Sequence, residues 1–475
     1  MSQNASQPFI RHQDLPSDVV PVVVDVILTA DWERVAQSLT ESQRVFAAEN
    51  DFKAKAGKRL QLPEADGRVK RILLGMGQDD DVAEMRLGSL SASLPTGYYR
   101  FGALPTAMDA RLAAIGWGLG AYRFNRYLSD KSDKSDPPIL VLEDKAVEAE
   151  ILASVAATTL CRDLINTPAS DMGPAALEQA ARALAQSFDA DVSSIVGEDL
   201  LEQNYPMIHA VGRAAHEPPR LVEIEWGDPS HPRLAIIGKG ITFDTGGVNM
   251  KSATGARLMK KDMGGAAHAL ALSHMIMATN LPVRLHCLLA IAENAVSANA
   301  YRPGDILQSR LGLTVEIDNT DAEGRLVLGD ALTKAAEQDP VFMIDFATLT
   351  GAARVALGPH LPPMFCNRSA PVEAVARHGA AQLDPVWHMP LWKPYNSMLS
   401  SPIASLKNAG GGFAGSVTAA LFLERFVKKT PWMHFDTYGW NPTARPAHPK
   451  GADMYGVRAV YAWLKAGGLN ARLTD

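Results

Sequence analysis

Asn319-Thr320-Asp321-Ala322-Glu323-Gly324-Arg325-Leu326-Val327-Leu328 stands where the chain changes its period. Ahead of it, Leu313 to Ile317 alternates like the end of a strand. Behind it, Arg325 to Glu337 spaces its Leu and Ala residues as a helix does. The acidic loop is therefore a strand-to-helix handover, and in an open α/β sheet ligands bind at that carboxyl edge. Asp321 and Glu323 are two positions apart in a turn, so their oxygens can converge on one point. Arg325 falls in the first helical turn, where free N–H groups favour an anion. Two carboxylates beside an anion site suggest a metal site with a bound anion. A helix start decorated with acids is the plain alternative, and this stretch alone leaves it open.

Further back, Leu234 to Ile237 reads as a short apolar strand running into Gly238-Lys239-Gly240-Ile241-Thr242-Phe243-Asp244-Thr245-Gly246-Gly247, with Lys251 beyond. Met259-Lys260-Lys261-Asp262-Met263-Gly264-Gly265-Ala266-Ala267 then opens an Ala-rich helix to Met277. The glycines permit tight turns near a ligand, but the order is not that of a Walker loop. Leu285 to Ile291 and Val341 to Phe346 read as further strands, the latter followed by Ala347-Thr348-Leu349-Thr350-Gly351-Ala352. Successive strand ends carrying polar or Gly-rich loops predict a parallel-type sheet with a crevice at its carboxyl edge. Lys239, Asp244, Lys251 and Asp262 are candidates to face it.

The N-terminal part reads as an α/β domain of its own. Val19 to Leu28, Val69 to Leu74 and Ile139 to Leu142 are its expected strands, and Thr106 to Leu128 a helix in which Gly116, Gly118 and Gly120 allow close packing. Gly75-Met76-Gly77 looks like part of a dinucleotide loop, but Asp80 stands where the third glycine belongs, so a strand-ending turn is the favoured reading. Ser129 to Pro138 is a solvated loop. Asp144 to Leu164 is a long helix suited to connect domains, Pro174 to Phe188 a second helix, Gly212 to Pro219 a loop and Leu221 to Glu225 a strand. The expected division is 1–143 for an N-terminal α/β domain, 144–165 for a connecting helix and 166–475 for the catalytic domain.

Composition sets the class. The 475 residues are 47% hydrophobic and 21% charged, ordinary for a globular protein with a large core. A net charge of −6 gives no basic footprint for nucleic acid. Three cysteines with no C-x-x-C pair argue against a disulfide framework and for a reducing cytoplasm. No secretory h-region is visible, and no run reaches membrane-spanning length. There is also no H-E-x-x-H, no G-x-S-x-G and no Cys-His metal spacing. What is present is oxygen-rich: Asp244, Asp262, Asp321 and Glu323 carry four negative charges, the balance for two divalent cations. Two such ions about 3.5–4 Å apart form a hydrolytic clamp. Lys251 and Arg325 would then leave the site ready for an anion.

With these blocks in order, the chain resembles the leucyl aminopeptidase family of the dinuclear-metal cytosol type. Asn319 to Leu326 carries that family's signature in full, Gly238 to Gly247 with Lys251 its second block, and Met259 to Ala267 its third. Weaker echoes are Asn166-Thr167-Pro168-Ala169, Ala347 to Ala352, Ala419 to Phe426 and His448 to Arg458. The resemblance implies a variable N-terminal α/β domain and a larger catalytic α/β domain with a mixed central sheet flanked by helices. It implies a metal-dependent exopeptidase acting on peptides with a free N-terminal amine. Asp244 and Glu323 would bridge two divalent metal ions (Zn²⁺ or Mn²⁺), with Asp321 completing one site and Lys239 and Asp262 the other. Lys251 would stabilise the oxyanion, and Arg325 would hold bicarbonate as general base. Met259 would line the first side-chain pocket, while Thr348, Leu349 and Gly351 would position the peptide backbone. A homohexamer without membrane or nucleic-acid partners is also implied.

The chain departs from the family pattern at Thr245, at Lys261, at Asp453-Met454 and at Tyr438. None of these removes an implied ligand, so what they bear on is substrate preference and packing. A dinuclear phosphoesterase and a non-catalytic scaffold are the competing readings. His434, in an apolar run, is expected to be a core histidine, and Lys428-Lys429 a solvated helix end.

Overall fold

A computed structural model of the protein describes residues 8–78, 84–129 and 136–469. Two compact units divide the chain: Met1–Thr159 with Thr443–Lys450, and Leu160–Pro442 with Gly451–Asp475. Among the described residues no helix is long and apolar enough to cross a membrane.

The first unit carries a six-stranded sheet in the order Phe9–Arg11, Ile139–Leu142, Tyr98–Phe101, Val22–Leu28, Val69–Gly77, Arg59–Pro63, antiparallel only at its last pair. The strand from Val69 does not end at Leu74 as expected but runs through to Gly77. A side chain at Gly75 would meet the Ala54 backbone at 2.5 Å, so close approach of a neighbouring segment explains that glycine. Asp80 lies outside the described residues, as does most of the Ser129–Pro138 loop. The expected helix from Thr106 is shorter, Ala110–Ala121, because the Asp109 side chain caps it by accepting the Arg111 and Leu112 N–H groups. Gly120 packs as predicted: a Cβ there would sit 2.0 Å from the Gly88 carbonyl oxygen.

The second unit is built on an eight-stranded sheet. Its order is Trp387–His388, Pro363–Cys366, Trp432–Asp436, Phe342–Ala347, Arg233–Asp244, Arg284–Asn294, Arg220–Trp226, Asp191–Val196. The four middle strands are mutually parallel. Antiparallel neighbours on both sides make the sheet mixed rather than purely parallel, as the family resemblance implied. The centre, Leu234 to Ile237, is fully buried, as a strand covered on both faces must be. The helix Gly264–Ala278 is buried almost all round and lies against it.

Two expectations are corrected here. The strand from Leu234 continues through the Gly-rich block to Asp244, so Lys239 is a mid-strand residue and not part of a loop. The strand ahead of the acidic loop, Thr314–Glu316, belongs to a separate three-stranded sheet with Ile306–Gln308 and Leu406–Lys407. The acidic loop therefore reaches the central sheet through the helix that follows it, Gly324–Ala336, which packs on Arg233–Asp244.

Candidate metal centre

Four parallel strands end on one edge, and their ends build the site. Asp244 closes its strand in register with Asn294 of the next. Thr348 follows the strand Phe342–Ala347, whose last residue is in register with Asp436. Asp262 comes from the 3-10 helix Met259–Met263, just ahead of Gly264–Ala278. Glu323 sits at the start of Gly324–Ala336.

The carboxylates of Asp244, Asp262 and Glu323 are buried and bring oxygens within 4.8 Å of one another. Lys239 reaches between two of them. Its Nζ lies 2.6 Å from Asp262 Oδ2 and 2.8 Å from Glu323 Oε1, and donates to the Thr348 carbonyl at 3.1 Å. Lys251 Nζ lies 2.9 Å from Asp244 Oδ2 and also pairs with Asp321, so Asp321 joins the cluster through a lysine. Asp244 Oδ1 accepts from Gly246 N and Asn294 Nδ2, both at 2.8 Å, and Asp262 Oδ1 accepts from Thr348 Oγ1 at 2.8 Å. Gly324 is required by this crowding, since a Cβ there would meet Lys239 Cδ and Cε at 2.7 Å.

Burial opposes the Lys239 ammonium, but Asp262, Glu323 and Asp244 together hold its pKa above the usual lysine value. The same balance, with Asp244 and Asp321 as partners, raises Lys251. Burial and then the Asp244 charge push Glu323 up to about 8. Burial, with Asp244 again second, also raises Asp321. Glu323 Oε2 is buried and accepts no hydrogen bond among the described residues. Glu323 and Asp321 resist ionisation, whereas Lys239, against the effect of burial, favours the Asp262 carboxylate, and a set of oxygen donors with a spare buried lone pair fits hard or borderline divalent cations.

The other expected residues take distinct places. Arg325 Nη1 donates to the Asn408 carbonyl at 2.7 Å, its Nε has no partner among the described residues, and burial lowers its pKa to about 10. Met259 is half-buried at the head of the 3-10 helix. Leu349 is half-buried on the loop leaving the central sheet, and Gly351 is exposed at the first position of the helix Gly351–Leu357. The structure brings Lys239, Asp244, Asp262 and Glu323 together directly, and Asp321 and Lys251 beside them. His434 is fully buried with Nδ1 2.6 Å from Asp345 Oδ1, a core histidine as expected.

Three residues that fix the site have no local motif. Asn294 braces Asp244. Asn408 Nδ2 donates to the Asn319 carbonyl at 2.7 Å, while its Oδ1 accepts from Asp318 N at 2.8 Å and Asn319 N at 3.1 Å, so it holds the acidic loop. Asp436 accepts from Leu349 N at 2.9 Å, Thr350 N at 3.0 Å and Thr350 Oγ1 at 2.6 Å, fastening the loop after Ala347. Their only trace in the sequence is a polar residue at the end of an apolar strand, or, for Asn408, just beyond a two-residue one.

Comparison with known proteins gives one consistent answer. The catalytic domain of the cytosol aminopeptidase family matches residues 159–461, and the M17 aminopeptidase N-terminal domain matches 22–137. A "Probable cytosol aminopeptidase" of Roseiflexus castenholzii is 37% identical over 478 residues, covering 94% of this chain and 97% of its own. The crystal structure of the cytosol aminopeptidase from Coxiella burnetii superposes with a TM-score of 0.90 at 40% identity, over 95% of this chain and 98% of that one. The bottromycin maturation enzyme BotP in complex with Mn gives 0.85 at 30% identity, over 94% and 99%.

Proposed function

The chain belongs to the cytosol aminopeptidase family, metal-dependent exopeptidases, and we propose that it removes N-terminal residues from peptides at a centre built for two divalent cations. The observation that carries this reading is the convergence of Lys239, Asp244, Asp262 and Glu323, with a buried Glu323 oxygen left unsatisfied.

In this reading Lys239, Asp244, Asp262, Asp321 and Glu323 would hold the two cations. Bound there, Zn²⁺ or Mn²⁺ would supply Lewis acidity and lower the pKa of a water toward neutrality. To serve as a ligand Lys239 would have to give up its proton, which the positive charge of bound cations would favour. Lys251 keeps its proton and faces the substrate carbonyl, where it stabilises the developing oxyanion. Arg325, whose buried Nε has no partner among the described residues, would hold a bicarbonate, which would supply a general base there. Thr348, Leu349 and Gly351 align the peptide backbone, and Met259 borders the first side chain. The reading extends to residues 1–143 as N-terminal domain, 144–165 as connecting helix and 166–475 as catalytic domain. It also includes a homohexamer in the cytoplasm, to whose reducing interior three buried cysteines outside any disulfide are suited.

The test is release of p-nitroaniline from leucine p-nitroanilide with Mn²⁺ or Zn²⁺, with chelator, from the N-acetylated analogue, and by Glu323→Ala. Release only from the free-amine substrate, lost in chelator and reduced by roughly a thousandfold or more in the variant, is expected. Cleavage of phosphate esters with no need for a free amine would instead favour the phosphoesterase reading.

A further inference from the structure

An oxyanion needs an ammonium held at one point, yet Lys251 stands on a flexible stem in a thinly packed stretch. Val248, Asn249 and Met250 ahead of it and Ser252, Ala253 and Thr254 behind it are all exposed. Apolar burial therefore does not fix this part of the chain, and what fixes it has to be polar.

The bonds that do so converge on Thr320, which is fully buried one position ahead of Asp321. Its Oγ1 donates to the Gly246 carbonyl at 2.6 Å and accepts the Asn249 N–H at 2.8 Å. Its own N–H donates to Asn249 Oδ1 at 2.9 Å, so each side chain holds the other residue's backbone. The Thr320 carbonyl accepts from Asn294 Nδ2 at 3.1 Å and from the Tyr301 hydroxyl at 2.7 Å, which ties the same residue to the strand beside Asp244. Gly247, at φ +62°, leaves the room required, since a Cβ there would meet Thr320 Oγ1 at 2.9 Å. Lys251 N closes the loop by donating to the Thr245 carbonyl at 2.9 Å.

This clamp spans the same gap as an ion pair. Asn249 is two residues from Lys251, Thr320 is next to Asp321, and the Lys251 ammonium pairs with both Asp321 and Asp244. Once those carboxylates are given to cations, the ion pairs no longer fix Lys251, whereas the clamp, made of neutral groups, remains. We propose that Thr320 and Asn249 are positioning residues for Lys251, joining loop 245–251 to the acidic loop so that the ammonium stands where the oxyanion forms. This rests on the aminopeptidase reading and its role for Lys251, and adds two residues to that site.

The test measures kcat and KM for leucine p-nitroanilide at saturating Mn²⁺, together with the rise in thermal midpoint that Mn²⁺ produces. Asn249→Ala removes the acceptor, Thr320→Val removes the hydroxyl and Thr320→Ser restores it. Asn249→Ala and Thr320→Val are expected to lower kcat roughly 10- to 100-fold with KM within about twofold of wild type and the Mn²⁺ response intact. Thr320→Ser is expected to stay within about threefold of wild type, because it keeps both hydroxyl bonds. In a Lys251→Met background, Asn249→Ala should cost less than about threefold more, since nothing is left to position. Should Thr320→Val fail to fold, Asn249→Ala, at an exposed position, carries the test alone. Wild-type kcat in Asn249→Ala, or its full cost on top of Lys251→Met, overturns the proposal and leaves the aminopeptidase reading standing. Loss of the Mn²⁺ response in Asn249→Ala puts the clamp in the service of the metal ligands and overturns it as well. No release by the wild-type protein overturns the parent reading and the proposal with it.

Discussion

His268 is fully buried in the helix Gly264–Ala278, and both ring nitrogens are committed. Nδ1 lies 2.6 Å from the Gly264 carbonyl, to which it donates, and Nε2 accepts the Tyr455 N–H at 3.1 Å. A second proton would point an N–H at an N–H. Burial accordingly lowers its pKa to about 4. The sign follows: the unfolded chain takes up the proton near pH 6.5 and the folded one only near 4, so stability is lost as pH falls through that window. The full swing is roughly 3 kcal/mol. In the chelated protein, His268→Gln keeps a donor and an acceptor but does not titrate. Its unfolding free energy from urea curves should fall less between pH 6.5 and 4 than that of the wild type. Parallel curves for the two proteins would refute the assignment.

At the scale of elements, the site depends on how closely the helix Gly264–Ala278 approaches the sheet. A Cβ at Gly265 would sit 2.2 Å from the Phe346 carbonyl oxygen and 2.8 Å from Lys239 N, both backbone atoms that cannot yield. Gly265→Ala must lift the helix, and with it Asp262, away from Lys239. We expect a loss of about 2 kcal/mol or more in urea unfolding and a collapse of peptidase activity. Gly412→Ala, which would meet nothing within 4 Å, should leave stability nearly unchanged. The same closeness explains which parts of the chain were legible beforehand. Lys239, Asp244, Asp262, Asp321 and Glu323 each sit in a local motif, so their grouping could be read along the chain. The glycines at 238 and 240 read as a loop yet lie inside a strand, and Gly238 is a glycine because a Cβ there would meet Ala266 Cα at 2.5 Å. A glycine bent for a turn and a glycine shaved for a helix are the same letter. Asn294, Asn408 and Asp436 act through strand register and distant loops, which no spacing reveals.

For the whole molecule, the cluster ties together parts of the chain far apart in sequence, from Lys239 to Glu323. A cation that binds this arrangement and not the unfolded chain stabilises it by mass action, about 2.7 kcal/mol at a hundredfold excess over Kd. Mn²⁺ or Zn²⁺ should therefore raise the thermal midpoint of the chelated protein, and chelator should reverse the rise. Glu323→Ala should respond much less, because it lacks the unsatisfied oxygen. A midpoint that ignores both metals would count against a metal centre here.

The two lysines within the acid cluster bear on timing. Lys239 and Lys251 hold Asp262, Glu323, Asp244 and Asp321 in place with positive charge that the chain carries itself. A newly made chain need not wait for metal in order to finish folding. Its carboxylates are held together and ready for a cation before one arrives.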